Sequence, residues 1–277
     1  MTPLEKSTVL VTGITNAASL ALAVAKQVHS EGAQLVCTGL GPTAHHRDLS
    51  EKSAAFLTQA FEDFRTAVGD AFGPQTPTLP MDVTVDASIT DLARALKVQG
   101  IQLDGFLHSI AMDKTIRGGS VKPLLEVTRE EFFAAMDVSV YSLLAVTRAL
   151  LNEGVLRRNA SIVALSYLGA ARVVRHPYKN IGVAKAALER LAVEMAQELG
   201  PSHGIKVNVV RFSPYAESKA GGAIEGLQEA VAQCARDGAL GNARPEDLGW
   251  EVAYLLRPYG RVTGEIRHVD GGYHVRG

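Results

Sequence analysis

The sequence has no excess of charge of either sign and very little cysteine. Its 277 residues carry 28 lysines and arginines against 29 aspartates and glutamates, for a formal net charge of −1. This balance argues against a nucleic-acid or anionic-membrane partner, since such partners usually require a basic excess or patch. Cys37 and Cys234 are the only cysteines, too few for a disulfide framework, and they suit a reducing compartment.

Long apolar runs are also missing. The apolar residues 9–11 are followed at once by Thr12 and Gly13, which is unlike a secretory signal. No stretch approaches the roughly 18 apolar residues that span a bilayer, so we expect no membrane partner. We therefore expect a soluble, cytoplasmic protein whose length allows one large α/β domain or two smaller ones.

Short apolar runs alternate with segments of helical periodicity along the whole chain. Strands are predicted at residues 8–12, 34–38, 78–81, 105–110, 161–165, 206–210 and 265–269. Helices are predicted at residues 19–30, 53–64, 88–99, 129–152, 178–199, 223–236 and 245–256. The alternation predicts an α/β fold, a doubly wound, Rossmann-like parallel sheet with helices on both faces. No linker divides the chain, so residues 1–277 are expected to form a single domain.

Two segments interrupt this rhythm. Residues 43–77 are long for a crossover with one helix, and residues 213–226 are rich in glycine and other small residues. Ligands in doubly wound folds lie beyond the carboxyl ends of the strands. The second segment, with the helix that follows it, therefore predicts a substrate lid near residues 213–236.

A glycine turn joins the first strand to the first helix. Gly13 ends the strand, and the small residues Ala18 and Ser19 stand at the start of the helix. Backbone N–H groups at such a helix start can bind a pyrophosphate, through their unsatisfied hydrogen bonds and the helix dipole. The usual G-x-G-x-x-G spacing is absent, and a tight turn without a ligand gives the same pattern.

A tyrosine and a lysine stand seven residues apart at the head of a predicted helix. Tyr178 and Lys185 share nearly the same face, about 10.5 Å apart along the axis. The phenol can donate a hydrogen bond to an oxygen that gains negative charge, and the ammonium can anchor ribose hydroxyls. The same two side chains could instead only cover an edge of the core with their stems.

In order and content, these motifs resemble the short-chain dehydrogenase/reductase superfamily, and more closely its enoyl-acyl-carrier-protein reductase branch. The matching pieces are LVTGI at 10–14, SLA at 19–21, DV at 82–83, LDGFLHSI at 103–110, DVSVY at 137–141, LSYLG at 165–169, GIKVN at 204–208, PEDLG at 245–249 and VDGG at 269–272. Tyr178-x6-Lys185 discriminates best, because ordinary short-chain dehydrogenases use Tyr-x3-Lys and position 181 is an isoleucine.

The resemblance implies an NAD(P)H-dependent reductase of enoyl thioesters. The wider spacing places the tyrosine about 4.5 Å further along the helix, so that the β-carbon of the substrate can lie over the nicotinamide. Tyr178 would then stabilise the enolate oxygen, and Lys185 would anchor the ribose. Tyr167 would lie near the substrate carbonyl, although it could equally be a core aromatic with a satisfied hydroxyl.

The resemblance also assigns the cofactor contacts. Gly13, Ile14, Ser19 and Leu20 match the pyrophosphate turn, Asp82 and Val83 the adenine contacts, and Ser109 and Ile110 the ribose side. Outside this context Asp82 could belong to a helix N-terminal cap. Residues 38–42 lack the acid that would bind the ribose 2′-hydroxyl, as do the similar reductases that often take NADH. We expect NADH, while NADPH stays open because His45, His46 and Arg47 could meet a 2′-phosphate.

The other polar groups predict less. His45 and His46 are too closely spaced for a helical metal pair, so no metal is expected. Ser161 and Ser166 lack the elbow motif of a hydrolase, and Cys234 is interpreted as a packed small hydrophobe. The resemblance implies a homotetramer and an acyl thioester carried by acyl carrier protein or coenzyme A. Arg211, Lys219 and residues 45–47 are candidate contacts for an acidic carrier.

Two departures from the family pattern lie near the expected nicotinamide and acyl pocket. Ala111 replaces a glycine, and residues 213–217 read SPYAE where the family has G-P-I-x-T. Glu217 would repel a pyrophosphate unless Arg211 or Lys219 compensates. These changes leave open a role in fatty-acid or specialised biosynthesis, a ketone or alcohol oxidoreductase, and a non-catalytic nucleotide-binding homologue.

Overall fold

A computed structural model describes residues 2–174, 178–218, 224 and 226–276. The strands are β1 (Thr8–Thr12), β2 (Gln34–Gly39), β3 (Thr78–Pro80), β4 (Leu103–His108), β5 (Ile116–Arg117), β6 (Ser120–Val121), β7 (Leu156–Tyr167), β8 (Lys206–Phe212) and β9 (Ile266–Val269). The helices are α1 (Leu20–Ser30), α2 (Glu51–Phe72), α3 (Asp86–Val98), α4 (Arg129–Met136), α5 (Ser142–Asn152), α6 (Lys179–His203), α7 (Leu227–Asp237) and α8 (Pro245–Leu256).

Seven of these strands form one parallel sheet in the order β3-β2-β1-β4-β7-β8-β9. The strand order reverses direction between β1 and β4, the type of switch point at which doubly wound folds bind ligands. β5 and β6 form a separate antiparallel hairpin. The predicted fold class, a doubly wound parallel sheet flanked by helices, is confirmed.

Helices cover the sheet on both faces because its central strands are apolar on both sides. On one face α1 and α8 pack together over β1 and β7, around core residues such as Leu22, Leu248 and Val252. On the other face α3, α5 and α6 cover the sheet with residues such as Leu92 and Leu143. The burial of both faces explains why the strands appear in the sequence as continuous apolar runs.

The long crossover of residues 43–77 consists mainly of α2. Ser50 caps this helix by accepting a hydrogen bond from the Ser53 backbone, and Gly73, at φ +90°, ends it. The helix is therefore longer than the predicted residues 53–64, and its last turns bury Ala67 and Val68. The predicted helix at 223–236 begins only at Leu227, while residues 223 and 225 lie outside the described part.

The predicted helix at 129–152 is α4 and α5 joined by a π-helical turn, Asp137–Tyr141. No segment was expected to be able to span a bilayer, but residues 129–152 are long and apolar enough to do so by length and composition. The mean hydropathy of their most apolar window is 1.4. Slightly more than half of that window, 56%, is buried inside the fold. Because α5 packs on α3 and on the sheet, the apolar character is that of a core helix.

Candidate active site

The site residues predicted from the sequence gather at one edge of the parallel sheet. Gly13 follows β1, Asp82 follows β3, Ser109 and Ile110 follow β4, and Tyr167 ends β7. All these strands point the same way, so their carboxyl ends share one edge. The fold therefore brings together residues up to 172 positions apart in the chain, between Gly13 and Lys185.

The turn between β1 and α1 requires glycine. Gly13 has φ +87°, and a Cβ atom there would lie 1.9 Å from the carbonyl oxygen of Ser109. The hydroxyl of Ser19 accepts hydrogen bonds from the backbone N–H groups of Thr15 and Asn16. It does not cap the N–H groups of α1. The first turn of α1 is thus left without a side-chain cap, and its donors fit an anionic pyrophosphate.

The carboxylate of Asp82 is held in place by three hydrogen bonds. One carboxylate oxygen accepts from the backbone and hydroxyl of Thr84, and the other lies 2.9 Å from His46 Nε2. Burial acts to raise the pKa of this carboxyl, but the bonds from His46 and Thr84 outweigh it and the pKa is lowered. The N-cap residue of α3 is Val85, so Asp82 does not cap this helix.

The two adjacent histidines both contact distant carboxylates. His46 pairs with Asp82, and His45 Nε2 lies 2.7 Å from Asp91. These acids lie 36 and 46 residues away along the chain, so local spacing could not reveal the contacts. His46 is thereby tied to the predicted adenine site.

Lys185 is a buried cation at the centre of the edge, with 6% of its surface exposed. Its ammonium donates hydrogen bonds to the carbonyls of Leu165, at 2.8 Å, and Ile110, at 3.2 Å. Burial lowers the pKa of Lys185 to about 8, and the negative charge of Glu189, one helical turn away, acts in the opposite direction. The lysine thus lies between β7 and the loop after β4, where a ribose was expected.

Tyr167, at the end of β7, and Tyr178, the N-cap residue of α6, form a packed pair. The Tyr167 hydroxyl donates to the backbone carbonyl of Tyr178 at 2.8 Å, and the ring centroids lie 5.5 Å apart. Gly182 permits this approach, since a Cβ there would lie 3.2 Å from the Tyr167 hydroxyl. Burial raises the pKa of both phenols, which stay neutral hydrogen-bond donors. Tyr167 therefore fixes the backbone that carries Tyr178.

Apolar side chains surround Tyr178. Ala216, Ile224 and Leu227 form a small cluster against which Tyr178 and the hairpin residues Ile116 and Val121 pack. Sequence reasoning missed the hairpin, because strands of two residues have no periodicity to detect. The predicted lid thus contributes apolar residues beside the tyrosine, although residues 219–223 and 225 of that lid lie outside the described structure.

A buried ion pair lies behind the lysine, and sequence reasoning missed it. Glu189 accepts hydrogen bonds from Ser166, at 2.6 Å, and from Arg211 Nε, at 2.8 Å, and a second contact makes the arginine pair bidentate. Arg211 also lies 3.2 Å from His268 Nε2. Of the two side chains that could compensate Glu217, Arg211 is thus paired with Glu189, and the Glu217 carboxylate accepts from the Tyr215 hydroxyl at 3.4 Å. Lys219 lies outside the described residues.

His268, Asp270 and His274 form a cluster of metal-ligand type, with their ligand atoms within 4.8 Å of one another. The two rings stack 3.9 Å apart, and Asp270 accepts from His274 Nδ1 at 2.8 Å. The sequence predicts no metal site from His45 and His46, but the spacing H-x-D-x3-H of this cluster is a signal that the sequence also contains. Burial lowers the pKa of His268, and its neighbours His274 and Arg211 lower this pKa further.

Comparison with known proteins agrees with this geometry. Residues 13–274 match the family described as Enoyl-(Acyl carrier protein) reductase. The NADH-dependent enoyl-acyl-carrier-protein reductase FabI of Aquifex aeolicus is 35% identical, over 99% of this chain and 93% of that protein.

Solved structures of such enzymes have the same fold. The crystal structure of the Aquifex aeolicus enzyme superposes with a TM-score of 0.84 at 33% identity, covering 99% of both chains. The Bacillus cereus enoyl-acyl-carrier-protein reductase, solved with NADP+ and indole naphthyridinone, also gives a TM-score of 0.84, at 28% identity over the full length of both chains. The chain belongs to the enoyl-acyl-carrier-protein reductase family.

Proposed function

We propose that the chain is an NADH-dependent reductase that adds hydride to the β-carbon of a 2-enoyl thioester carried by acyl carrier protein or coenzyme A. The observation that carries this is the pair of Tyr178, the N-cap residue of α6, and Lys185 within α6, with Lys185 fixed at the sheet edge by Leu165 and Ile110. The Aquifex relative is named as NADH-dependent and the Bacillus cereus structure holds NADP+, so the dinucleotide site is of a type that serves both cofactors.

The residues present fit a dinucleotide, which when bound supplies the hydride. Gly13, Ile14, Ser19 and Leu20 would hold the pyrophosphate at the uncapped start of α1. Asp82 and Val83 would contact the adenine, and Ser109 and Ile110 the ribose side. Lys185, buried next to Ile110, would bind the ribose hydroxyls.

Tyr178 is the residue that stabilises the reaction's negative charge. Hydride addition at the β-carbon moves an electron pair onto the thioester oxygen and creates an enolate. A neutral phenol donates a hydrogen bond to that oxygen, and its effect is largest in a site that excludes water. Tyr167 keeps Tyr178 in place through its carbonyl, and the apolar cluster around Tyr178 suits an acyl chain.

A direct assay tests this proposal. NADH and NADPH absorbance is followed with crotonyl-coenzyme A, crotonyl-acyl carrier protein, acetoacetyl-coenzyme A and no substrate. Oxidation with the crotonyl thioesters alone is the expected result. Oxidation only with acetoacetyl-coenzyme A would show a ketone reductase instead. Binding of NADH without turnover of any substrate would show a non-catalytic nucleotide-binding protein.

We also propose that the chain forms a single domain and assembles as a homotetramer in the cytoplasm. Residues 213–236 act as a lid, which the packing of Ala216, Ile224 and Leu227 against Tyr178 supports. Light scattering on a size-exclusion column measures the assembly, and a mass of one or two chains would contradict the tetramer.

The pH dependence of activity follows from Lys185. Its ammonium is lost as the pH rises through its pKa of about 8. We expect kcat/KM for the enoyl thioester to fall on the alkaline side with an apparent pKa near 8, about tenfold per pH unit. A profile that stays flat to pH 10 would contradict a role for the charged lysine.

The contribution of Lys185 to the folding stability of the protein has the opposite pH dependence. Its pKa falls from a usual 10.5 to about 8, so the unfolded chain binds more protons between these values. Stability therefore rises with pH across this window. Compared with Lys185→Met, which lacks the titrating group, the wild type should gain unfolding free energy from pH 8 to 10.5. Denaturant titrations at these two pH values check the sign.

Gly13→Ala is expected to weaken both folding and cofactor binding. An L-residue at φ +87° is strained, and the new methyl would collide with the Ser109 carbonyl, which must move. We expect a loss of about 1–2 kcal/mol in unfolding free energy, measured by denaturant titration. We also expect about tenfold weaker NADH binding, measured by fluorescence titration. Gly154→Ala is the control, because Gly154 also has positive φ, but no atom lies within 4 Å of its added methyl. Equal NADH affinities for the two variants would contradict the assignment.

A further inference from the structure

A buried carboxylate lies beside the tyrosine pair. Asp113 belongs to the segment between β4 and the hairpin, and only 9% of its surface is exposed. Its Oδ1 accepts a hydrogen bond from the backbone N–H of Thr115 at 2.9 Å and another from the Asn180 amide at 3.3 Å. Asn180 is the second residue of α6, two positions after Tyr178, and is itself 2% exposed. The carboxylate is thus fixed against the same helix start that carries Tyr178.

The second oxygen of this carboxylate is a buried acceptor. Among the described residues nothing hydrogen-bonds to Asp113 Oδ2, although that atom is buried. The hydroxyl of Thr115, two residues away and 3% exposed, is also without a partner there. A buried acceptor that loses its water without gaining a donor destabilises the fold. Both atoms belong to one short loop that is hydrogen-bonded to the start of α6, and each could be satisfied by a polar group of a ligand.

The charge of Asp113 also opposes the proposed reaction on a plain acyl chain. Burial is the main cause of the raised pKa of Tyr178, and the negative charge of Asp113 is the second cause. The same charge also contributes to the raised pKa of Tyr167. A group that disfavours a tyrosinate at this position also disfavours an enolate oxygen next to the same phenol. A hydrogen-bond donor on the substrate would satisfy Asp113 Oδ2 and, at the same time, reduce the repulsion between Asp113 and the enolate oxygen.

We propose that Asp113 and Thr115 form a polar subsite that binds a hydrogen-bond donor, a hydroxyl or an amine, on the acyl chain of the enoyl thioester. The inference rests on the proposed reductase function and narrows its substrate class. Ile116 and Val121, which follow in the hairpin, pack against the same apolar cluster as Tyr178, so the neighbouring wall is apolar. The preferred chain is therefore largely aliphatic and carries one polar substituent.

The test compares matched substrates with and without a donor. With NADH and the full chain, kcat/KM is measured for 2-hexenoyl-coenzyme A and for its 4-, 5- and 6-hydroxy and 6-amino derivatives. We expect at least one donor-bearing substrate to exceed the unsubstituted chain about tenfold or more, because a buried group that lacks its partner penalises the plain substrate. Preference for the amine identifies charge pairing, and preference for a hydroxyl identifies a neutral hydrogen bond.

Variants of the subsite should reverse that preference. Asp113→Ala is expected to lower kcat/KM for the donor-bearing substrate and to raise it for plain 2-hexenoyl-coenzyme A. Asp113→Asn removes only the charge and should abolish a preference for the amine. Thr115→Val tests the subsite without any change of charge if Asp113→Ala does not fold. Glu130→Gln is the control, because this carboxylate is 85% exposed and pairs with Lys114, and the preference should persist.

The possible results separate the two proposals. If no enoyl thioester oxidises NADH, the reductase function fails and the subsite fails with it. If all the thioesters are reduced with equal efficiency, the function stands and the subsite is overturned. A preference that survives both Asp113→Asn and Thr115→Val would likewise overturn it. The thermal midpoint with and without NADH shows that each variant is folded.

Discussion

Replacing Tyr178 with phenylalanine is expected to lower kcat with an enoyl thioester about 100-fold and to change NADH binding little. Removing one preorganised donor to a developing oxyanion typically has an effect of about 10²–10³ on kcat. The ring remains in the variant, so its packing against Tyr167 and the apolar cluster is preserved. Steady-state kinetics and NADH fluorescence titration measure the two quantities separately.

Tyr259→Phe is the matched control for this experiment. Tyr259 is 61% exposed and follows α8, away from the sheet edge, so losing its hydroxyl should leave kcat unchanged. A less than threefold drop for Tyr178→Phe would show that another group donates to the enolate oxygen. A large increase in KM with unchanged kcat would show that the phenol binds ground state and transition state equally.

Local sequence patterns were sufficient to predict most of the fold. β1 and α8 have the predicted bounds, because a run of apolar residues ends at Gly13 and a proline opens α8. α2 was predicted too short. Gly69 lies inside it and resembles a helix breaker in the sequence, but Ala67 and Val68 pack on the core and extend the helix. Packing energy outweighed the local propensity there.

The candidate site could be predicted only where its spacing is local. The seven-residue separation of Tyr178 and Lys185 suggested a common helix face, although Tyr178 is the N-cap of α6 and the helix itself begins at Lys179. The contact between Asp113 and Asn180 joins residues 67 apart, and no periodicity encodes it. The same holds for Glu189 and Arg211, which meet only when α6 packs on β8. Such contacts depend on tertiary structure.

Breaking the pair of Glu189 and Arg211 is the stability change with the largest expected effect. The two side chains are only 5% and 13% exposed, and Glu189 also accepts from Ser166. Glu189→Leu would leave the guanidinium buried without its carboxylate. We expect a loss of about 3–5 kcal/mol in unfolding free energy, measured by urea denaturation with protein concentration held fixed.

The double variant decides whether the unpaired charge causes this loss. If it does, Glu189→Leu combined with Arg211→Met should be more stable than Glu189→Leu alone, because no buried charge is then left unpaired. Glu194→Gln is the control on the same helix, since its ion pair with Arg190 is 60–70% exposed and should contribute at most about 1 kcal/mol. Strictly additive losses for Glu189 and Arg211 would contradict the pairing. In that case the loss would come from lost packing and from the Ser166 hydroxyl, which is left without its acceptor. An unpaired guanidinium, in contrast, requires that removing Arg211 restore part of the stability lost with Glu189.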